Sequence, residues 1–169
     1  VRVGDPPQPD EVTGTLETRL QEMSRFFHPR SLAIMGAPRH PLKAGNVILR
    51  NLQRLGFRGA IYPVNPIMDE VLGLRCYPSA TAIEATVDLA VVVVPRDAVL
   101  AVLEDCGQAG IPNVIVSTAG FSDDGPEGQR LQDELVARAG ELGIRLMGPN
   151  SIGTVEVGAG LVTSLASVE

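Results

Sequence analysis

The stretch from Ser31 to Gly45 carries the clearest chemistry of the sequence, because an apolar run there ends in a glycine and a helix follows. Residues 32–35 are continuously apolar, which is typical of a strand buried on both faces of a parallel sheet. Gly36 lets the backbone turn sharply, and the first N–H groups of the helix point to the same place. Helix N-termini attract anions. The pattern predicts an anion-binding turn. The alternative is that Gly36 only closes a tight βα connection and binds no ligand, because both cases need a glycine after the strand.

Lys43 falls in the first turn of the predicted helix, where it could reach an anionic diphosphate or point into solvent. Two common nucleotide motifs do not fit this turn. The dinucleotide fingerprint needs glycines where Pro38 and Pro41 stand, and an acidic residue where Asn65 and Pro66 end the second strand. Pro41 also replaces the second glycine of a phosphate loop. Hydride-transfer cofactors and P-loop nucleotides are therefore disfavoured.

Composition narrows the class of protein. The chain of 169 residues is 44% hydrophobic, has a formal net charge of -6 and contains no run of basic residues, which argues against a nucleic-acid partner. Cys76 and Cys106 lack the spacing of a disulfide framework or a zinc site, so we expect both to be structural and the compartment to be a reducing cytoplasm. No stretch reaches the roughly 18 apolar residues of a membrane span. We expect no metal site and no membrane partner.

Two regions are distinguished along the chain. Residues 1–14 are rich in proline and predict an unstructured leader or linker, and residues 15–169 predict one domain. A short N-terminal helix is predicted from Thr15, with Leu16, Leu20, Met23 and Phe27 on one face and Pro29 ending it. We expect that apolar face to pack against the sheet beside the first strand.

Strands and helices alternate five times after this helix. The predicted strands are residues 32–35, 60–64, 88–94, 113–117 and 144–147, joined by short connections. Such alternation predicts an α/β fold, a Rossmann-like doubly wound parallel sheet, for which we expect the strand order 3-2-1-4-5. Ligands of these sheets lie outside the carboxyl ends of the strands, and every strand here ends in glycine, proline or polar residues.

A succession of motifs resembles a known family. The segments FFHPRSLAIMGAPRHPLKAGNVILRNL, GFRGAIYPVNP, VDLAVVVVP, STAGF and GPNSIG resemble the CoA-binding domain of nucleoside-diphosphate-forming acyl-CoA synthetases, which include the succinyl-CoA synthetase α subunit and ADP-forming acetate–CoA ligases. The resemblance implies coenzyme A as the ligand. The residues that it places around CoA are Gly36, Ala37, Pro38, Lys43, Val64, Asn65, Pro66, Val94, Pro95, Thr118, Ala119, Gly120 and Asn150.

The resemblance also implies what the whole enzyme needs. Enzymes of this family relay phosphate through a histidine on a second domain and bind nucleotide on an ATP-grasp part, and neither is found in this sequence. His28 and His40 lie outside the sequence context of that histidine, so no catalytic residue is assigned. The chain is then a CoA-binding fragment or subunit, inactive alone as an acid–thiol ligase, with the missing domains as its partners. A free-standing CoA-binding protein and an NAD(H)- or nucleotide-sensing regulatory domain are the alternatives.

Three positions depart from the pattern of many relatives. Ser151 stands where they have cysteine, Pro38 where they have serine, and Ile67 where a lysine often follows the Asn-Pro pair. Each lies in a loop that the resemblance places near the ligand.

Overall fold

A computed structural model describes residues 16–18, 20, 21 and 23–164 of the chain. The predicted leader, residues 1–14, lies outside them. The elements in chain order are β1 (Ser31–Met35), α1 (Ala44–Arg54), β2 (Ala60–Val64), β3 (Glu70–Val71), β4 (Leu74–Arg75), β5 (Leu89–Val92), α2 (Val99–Gln108), β6 (Asn113–Val116), α3 (Gly125–Glu141), β7 (Arg145–Met147), β8 (Val155–Glu156) and β9 (Leu161–Val162). Single 3₁₀ turns, Arg96–Ala98 and Ser122–Asp124, precede α2 and α3. None of the helices in the described residues could span a membrane.

Five parallel strands form the central sheet, which confirms the predicted α/β, Rossmann-like class. Their spatial order is β2-β1-β5-β6-β7. Counted as the first to fifth strands of this sheet along the chain, that is 2-1-3-4-5. The predicted order 3-2-1-4-5 is therefore wrong, because the third strand pairs with the free side of β1 and not with β2.

The second strand is an edge strand for a local reason. Pro63 lies inside β2, and a proline, which lacks an N–H, is tolerated at sheet edges and not in central strands. The outer side of β2 is covered by the segment after β4, where Tyr77 N donates to Pro63 O (2.9 Å) and Asn65 N donates to Tyr77 O (2.8 Å). No place remains there for the third strand. The connection from β2 thus crosses β1 and creates a switch point between β1 and β5.

Both faces of the sheet are buried, as the apolar strands predict. Alternate residues of each central strand point to opposite faces: Ala33 and Met35 join one core cluster, and Leu32 and Ile34 join the other. Helices α2 and α3 cover the first cluster. Helix α1 covers the second with the β8–β9 hairpin, whose Leu161 is fully buried.

The two cysteines are structural, as expected. Both thiols are buried, and Cys106 lies in the core between α2 and the sheet. Burial raises the pKa of the Cys106 thiol to about 12, and burial likewise raises the pKa of Cys76. A protonated, inaccessible thiol is a poor nucleophile, which excludes Cys106 as a reactive group.

The N-terminal segment is helical at residues 16–18, 20, 21, 23 and 24, but it does not pack as expected. Leu16, Leu20 and Met23 are each more than half exposed, so the prediction that this face covers the sheet is wrong. Phe26 is buried in its place and joins the α1 side of the core. Helical periodicity identifies an apolar face, but the face becomes buried only where a partner surface exists.

A pair of matched substitutions tests this difference. Leu52→Ala, in α1, removes a fully buried side chain and should lower the free energy of unfolding by about 2–5 kcal/mol. Leu20→Ala, at a helical position that is 58% exposed, should change it by less than about 0.5 kcal/mol. Urea denaturation of both variants measures the two values. Equal losses would show that the N-terminal helix is packed on the domain.

Candidate functional site

The turn after β1 is fixed by backbone contacts on both sides. The N–H groups of Gly36 (2.9 Å) and Ala37 (3.2 Å) donate to Val64 O at the end of β2. Gly36 has φ +92°, a conformation that favours glycine, and a Cβ there would lie 2.8 Å from Val94 Cγ1. The ends of β1, β2 and β5 therefore meet at this turn.

Helix α1 starts directly against this turn. A Cβ on Gly45 would lie 2.7 Å from Gly36 O and 3.1 Å from Ala37 Cα, so only glycine fits without displacing backbone. Gly45 was not among the residues that the sequence predicts for the site. The sequence feature that could have identified it is a glycine in the first turn of the predicted helix. In dinucleotide-binding turns, a glycine at this position lets the helix approach the strand closely.

Two asparagine side chains hold the loop between β1 and α1. Asn46 Nδ2 donates to Pro38 O (3.0 Å) and Arg39 O (3.3 Å). Asn65 Nδ2 donates to Ala37 O (3.2 Å), and its Oδ1 accepts from Ile67 N (3.1 Å). The Asn65 side chain thus supports the loop and also shapes the turn after β2.

The N-terminus of α1 is open. Lys43 is its N-cap residue in an extended conformation, no side chain caps the helix, and the first turn contains no acidic residue. The Lys43 side chain is exposed. Asn46 N already donates to Lys43 O (3.0 Å), so the N–H groups of Ala44 and Gly45 are the ones that remain, with the positive end of the helix dipole, to meet an anion.

A crevice of about 210 Å³ opens beside this helix end, between the start of α1 and the carboxyl ends of β5 and β6, next to the switch point between β1 and β5. Its lining residues are Ala44, Val93, Val94, Ser117 and Thr118. Val94 and Thr118 were predicted from the sequence, whereas Ala44, Val93 and Ser117 were not. Ligands of open α/β sheets bind at such switch points.

Two hydroxyl groups at the end of β6 differ in their bonding. Thr118 Oγ1 donates to Val94 O (2.7 Å), which ties β6 to β5. Ser117 Oγ is buried, and in the described part of the chain no group is hydrogen-bonded to it. A buried hydroxyl without a partner costs free energy, and Ser117 is one of the residues that line the crevice.

The loop after Thr118 is held by its own acidic side chain. The Asp123 carboxylate accepts hydrogen bonds from the N–H groups of Gly120 (3.0 Å) and Phe121 (2.9 Å), which lower the pKa of Asp123. Arg96 Nη1 donates to Gly120 O (3.0 Å) and to Asp124 (2.8 Å). The Gly120 amide is therefore already engaged, and of the three predicted residues Thr118, Ala119 and Gly120 only Ala119 is exposed.

The loop after β7 closes the same edge. Asn150 N donates to Thr118 O (3.0 Å), and Ser151 N donates to Val116 O (3.2 Å). A Cβ on Gly148 would lie 2.3 Å from Val116 O, so this glycine permits the close approach. Asn150 is exposed beside the predicted Thr118 loop.

All the predicted binding residues thus lie at the carboxyl edge of the sheet, with Val64 as the last residue of β2 and the others in loops, or, for Lys43, at the start of α1. The two histidines lie apart. His40 is exposed, with Nδ1 accepting from Leu42 N (3.3 Å), and His28 lies before β1 at the opposite edge. Within the described residues, no three His, Cys, Asp or Glu side chains are grouped to hold a metal ion.

The family model described as CoA binding domain matches residues 30–156, which include β1 through β8 and every predicted binding residue. The chain belongs to the CoA-binding domain family. Membership of this family agrees with two observations: the sequence lacks the glycines of the dinucleotide fingerprint, and the N-terminus of α1 is open next to the switch point.

The relatives of this CoA-binding domain are longer proteins. It is 39% identical over 147 residues to the ADP-forming acetate–CoA ligase II of Archaeoglobus fulgidus and 40% identical over 143 residues to the α subunit of the corresponding Pyrococcus furiosus enzyme. These matches cover 87% and 85% of this chain but 22% and 31% of the relatives. The chain thus spans less than a third of either relative.

A solved structure is similar in both fold and sequence. The dinucleotide-forming acetyl-coenzyme A synthetase 1 of Ca. Korarchaeum cryptofilum, in complex with phosphate and ADP, superposes with a TM-score of 0.81 at 43% identity. The match covers 85% of this chain and 30% of that one.

The contact between α1 and the turn after β1 predicts opposite effects at two helical glycines. Gly45→Ala should lower the free energy of unfolding by more than about 1 kcal/mol, because its Cβ meets Gly36 O. A Cβ on Gly140, in α3, would have no neighbouring atom within 4 Å. Gly140→Ala should therefore raise the free energy of unfolding by about 0.5–1 kcal/mol, because alanine has the higher helix propensity. Thermal denaturation of both variants provides the comparison. A stabilised Gly45→Ala protein would contradict the close approach.

Proposed function

We propose that this chain is the CoA-binding component of an ADP-forming acyl-CoA ligase, and that it holds CoA in the crevice at the carboxyl edge of the sheet. The observation that carries the proposal is the match of nearly the whole described chain to ADP-forming acetate–CoA ligases at about 40% identity. The open end of α1 gives this match a physical basis. CoA is then a substrate, and its diphosphate is the anion that the helix end attracts.

The proposed position of CoA follows the order of the loops along the edge. The diphosphate lies over Gly36, Ala37 and Pro38, within reach of Lys43 Nζ. The adenine side faces Val64, Asn65 and Pro66, with Val94 and Pro95 as the floor. The pantetheine follows Thr118, Ala119 and Gly120, and the thiol end approaches Asn150.

In this arrangement the residues of this chain bind and orient, and the chemistry of activation takes place elsewhere. The CoA sulfur attacks the carbonyl carbon of an acyl phosphate, a carbon–sulfur bond forms as the carbon–oxygen bond to the phosphate breaks, and the inorganic phosphate that leaves takes up the thiol proton. Positioning the thiol is the contribution of this domain, since a well-oriented attack removes a large part of the entropic barrier. The acyl phosphate is supplied by the phosphohistidine and ATP-grasp domains, in cis or as a partner subunit.

Lys43 provides the first test. Lys43→Ala should weaken CoA binding by about 1.5–3 kcal/mol, the range for a charge-assisted hydrogen bond, and leave unfolding nearly unchanged. Arg54→Ala, at the opposite end of α1, is the control and should bind CoA as tightly as the parent. Calorimetric titrations with CoA, dephospho-CoA and NADH measure the effect. Tighter binding of NADH than of CoA would contradict the proposal and favour the nucleotide-sensing alternative.

The sequence offers a sharper probe, because Lys43 is its only lysine. Reductive methylation with ¹³C-formaldehyde labels this side chain and the N-terminal amine and no other group of the chain. On addition of CoA we expect the Lys43 methyl signal to shift and the N-terminal signal to stay. An unchanged Lys43 signal at saturating CoA would remove Lys43 from the site.

An activity assay tests the proposal that ligase activity needs the phosphohistidine and ATP-grasp domains in addition to this chain. Alone with ATP, Mg²⁺, acetate and CoA, it should form no acetyl-CoA and retain no acid-labile phosphate, because in-line phosphoryl transfer needs a nucleotide site and a placed histidine. Radiolabelled ATP and detection of the thioester measure both outcomes. Label on His28 or His40, or catalytic formation of acetyl-CoA, would contradict the assignment.

A further inference from the structure

A second cavity, of about 540 Å³, lies at the opposite edge of the sheet from the crevice, and we name it the amino-edge cleft. Its size is within the range of about 300–1,000 Å³ that is common for small-molecule sites. The lining residues come from the segment before β1, the loop before β2 and the residues at and after the end of β8: His28, Pro29, Arg30, Phe57, Arg58, Gly59, Glu156, Gly158 and Ala159. β1 and β2 are five residues long, so the cleft and the crevice are separated by roughly 15 Å of sheet.

The walls of the cleft are joined by close backbone contacts. Ala60 N donates to Arg30 O (3.0 Å), which connects the two segments before the strands. A Cβ on Gly59 would lie 2.5 Å from both Arg30 O and Phe57 Cζ, so the Phe57 ring lies against the Gly59 backbone. A Cβ on Gly160 would lie 2.4 Å from Leu55 O, which fixes the hairpin turn against the end of α1. The cleft is therefore preformed.

The cleft contains two guanidinium groups, and only one of them is paired with a carboxylate of the described residues. Arg30 is already paired, because its Nε lies 3.6 Å from Asp88 Oδ2 and its N–H donates to the same oxygen (2.8 Å). Glu156, the carboxylate in the lining, accepts hydrogen bonds from Gly158 N (3.1 Å) and Ala159 N (2.5 Å). Those amide dipoles offset much of its charge. Among the described residues, no carboxylate lies within 4.0 Å of the Arg58 guanidinium. Arg58 is therefore the guanidinium of this cleft that remains available to an anion.

The remaining lining is apolar. The Phe57 ring is half-buried, and Pro29 and Ala159 lie in the same lining. Guanidinium groups pair with carboxylates and phosphates through two parallel hydrogen bonds, and apolar groups gain from contact with an aromatic ring. We propose that the amino-edge cleft binds a small organic anion, in which a carboxylate or phosphate that pairs with Arg58 is joined to a flat apolar group that packs on Phe57.

Phenyl phosphate, benzoate and inorganic phosphate are the probes, titrated into the full chain and followed by ¹H–¹⁵N NMR. We expect phenyl phosphate to shift the amides of residues 28, 30, 57–59 and 156–159 and to bind more tightly than inorganic phosphate. Comparison with benzoate decides between a phosphate and a carboxylate head group. Arg58→Gln should weaken binding about tenfold or more, and Arg130→Gln, on the distant α3 surface, should leave it unchanged.

Other results overturn the proposal. Shifts confined to residues 36–45 and 117–120 would show that the probes bind only in the crevice. Equal binding of phenyl phosphate and inorganic phosphate would exclude the apolar part of the ligand. Binding that survives Arg58→Gln, or that occurs with an acidic peptide but with none of the three probes, would likewise exclude a small organic anion held by Arg58.

Discussion

At Gly45 the first turn of α1 approaches the turn after β1 so closely that a Cβ would lie 2.7 Å from Gly36 O. This contact aims the open N-terminus of the helix at the switch point between β1 and β5. The amide groups of Asn46 and Asn65 hold the intervening loop from opposite sides. If the helix began further away, its N–H groups and Lys43 would no longer converge with the ends of β5 and β6, and the crevice would lose its anion-attracting wall.

Local geometry also explains how an acidic chain can receive a polyanion such as CoA. The net charge of -6 repels it at long range, whereas the helix end and the adjacent Lys43 act at contact distance, within a Debye length of about 10 Å. Ser117 adds a buried hydroxyl that has no hydrogen-bond partner among the described residues. Asp123 accepts hydrogen bonds from the N–H groups of Gly120 and Phe121, so these amides in the loop after β6 are not available to an anion.

The sequence was informative where one local pattern decides the structure. The apolar runs of β1, β5 and β6 and the glycine that ends β1 foretold a parallel sheet with a ligand turn. Pro63 indicates that β2 is an edge strand, whereas the predicted order 3-2-1-4-5 places β2 between two other strands. Leu20 lies on a periodic apolar face, but its side chain is 58% exposed. Ser117 and the amino-edge cleft depend on residues brought together from distant segments, which periodicity does not reveal.

The most direct measurement is a crystal structure of the chain with CoA. The account predicts the CoA diphosphate within hydrogen-bond distance of the first N–H groups of α1 and of Lys43 Nζ, with the pantetheine passing Val94, Ser117 and Thr118. CoA bound in the amino-edge cleft, or at the carboxyl edge with its diphosphate away from α1, would contradict it.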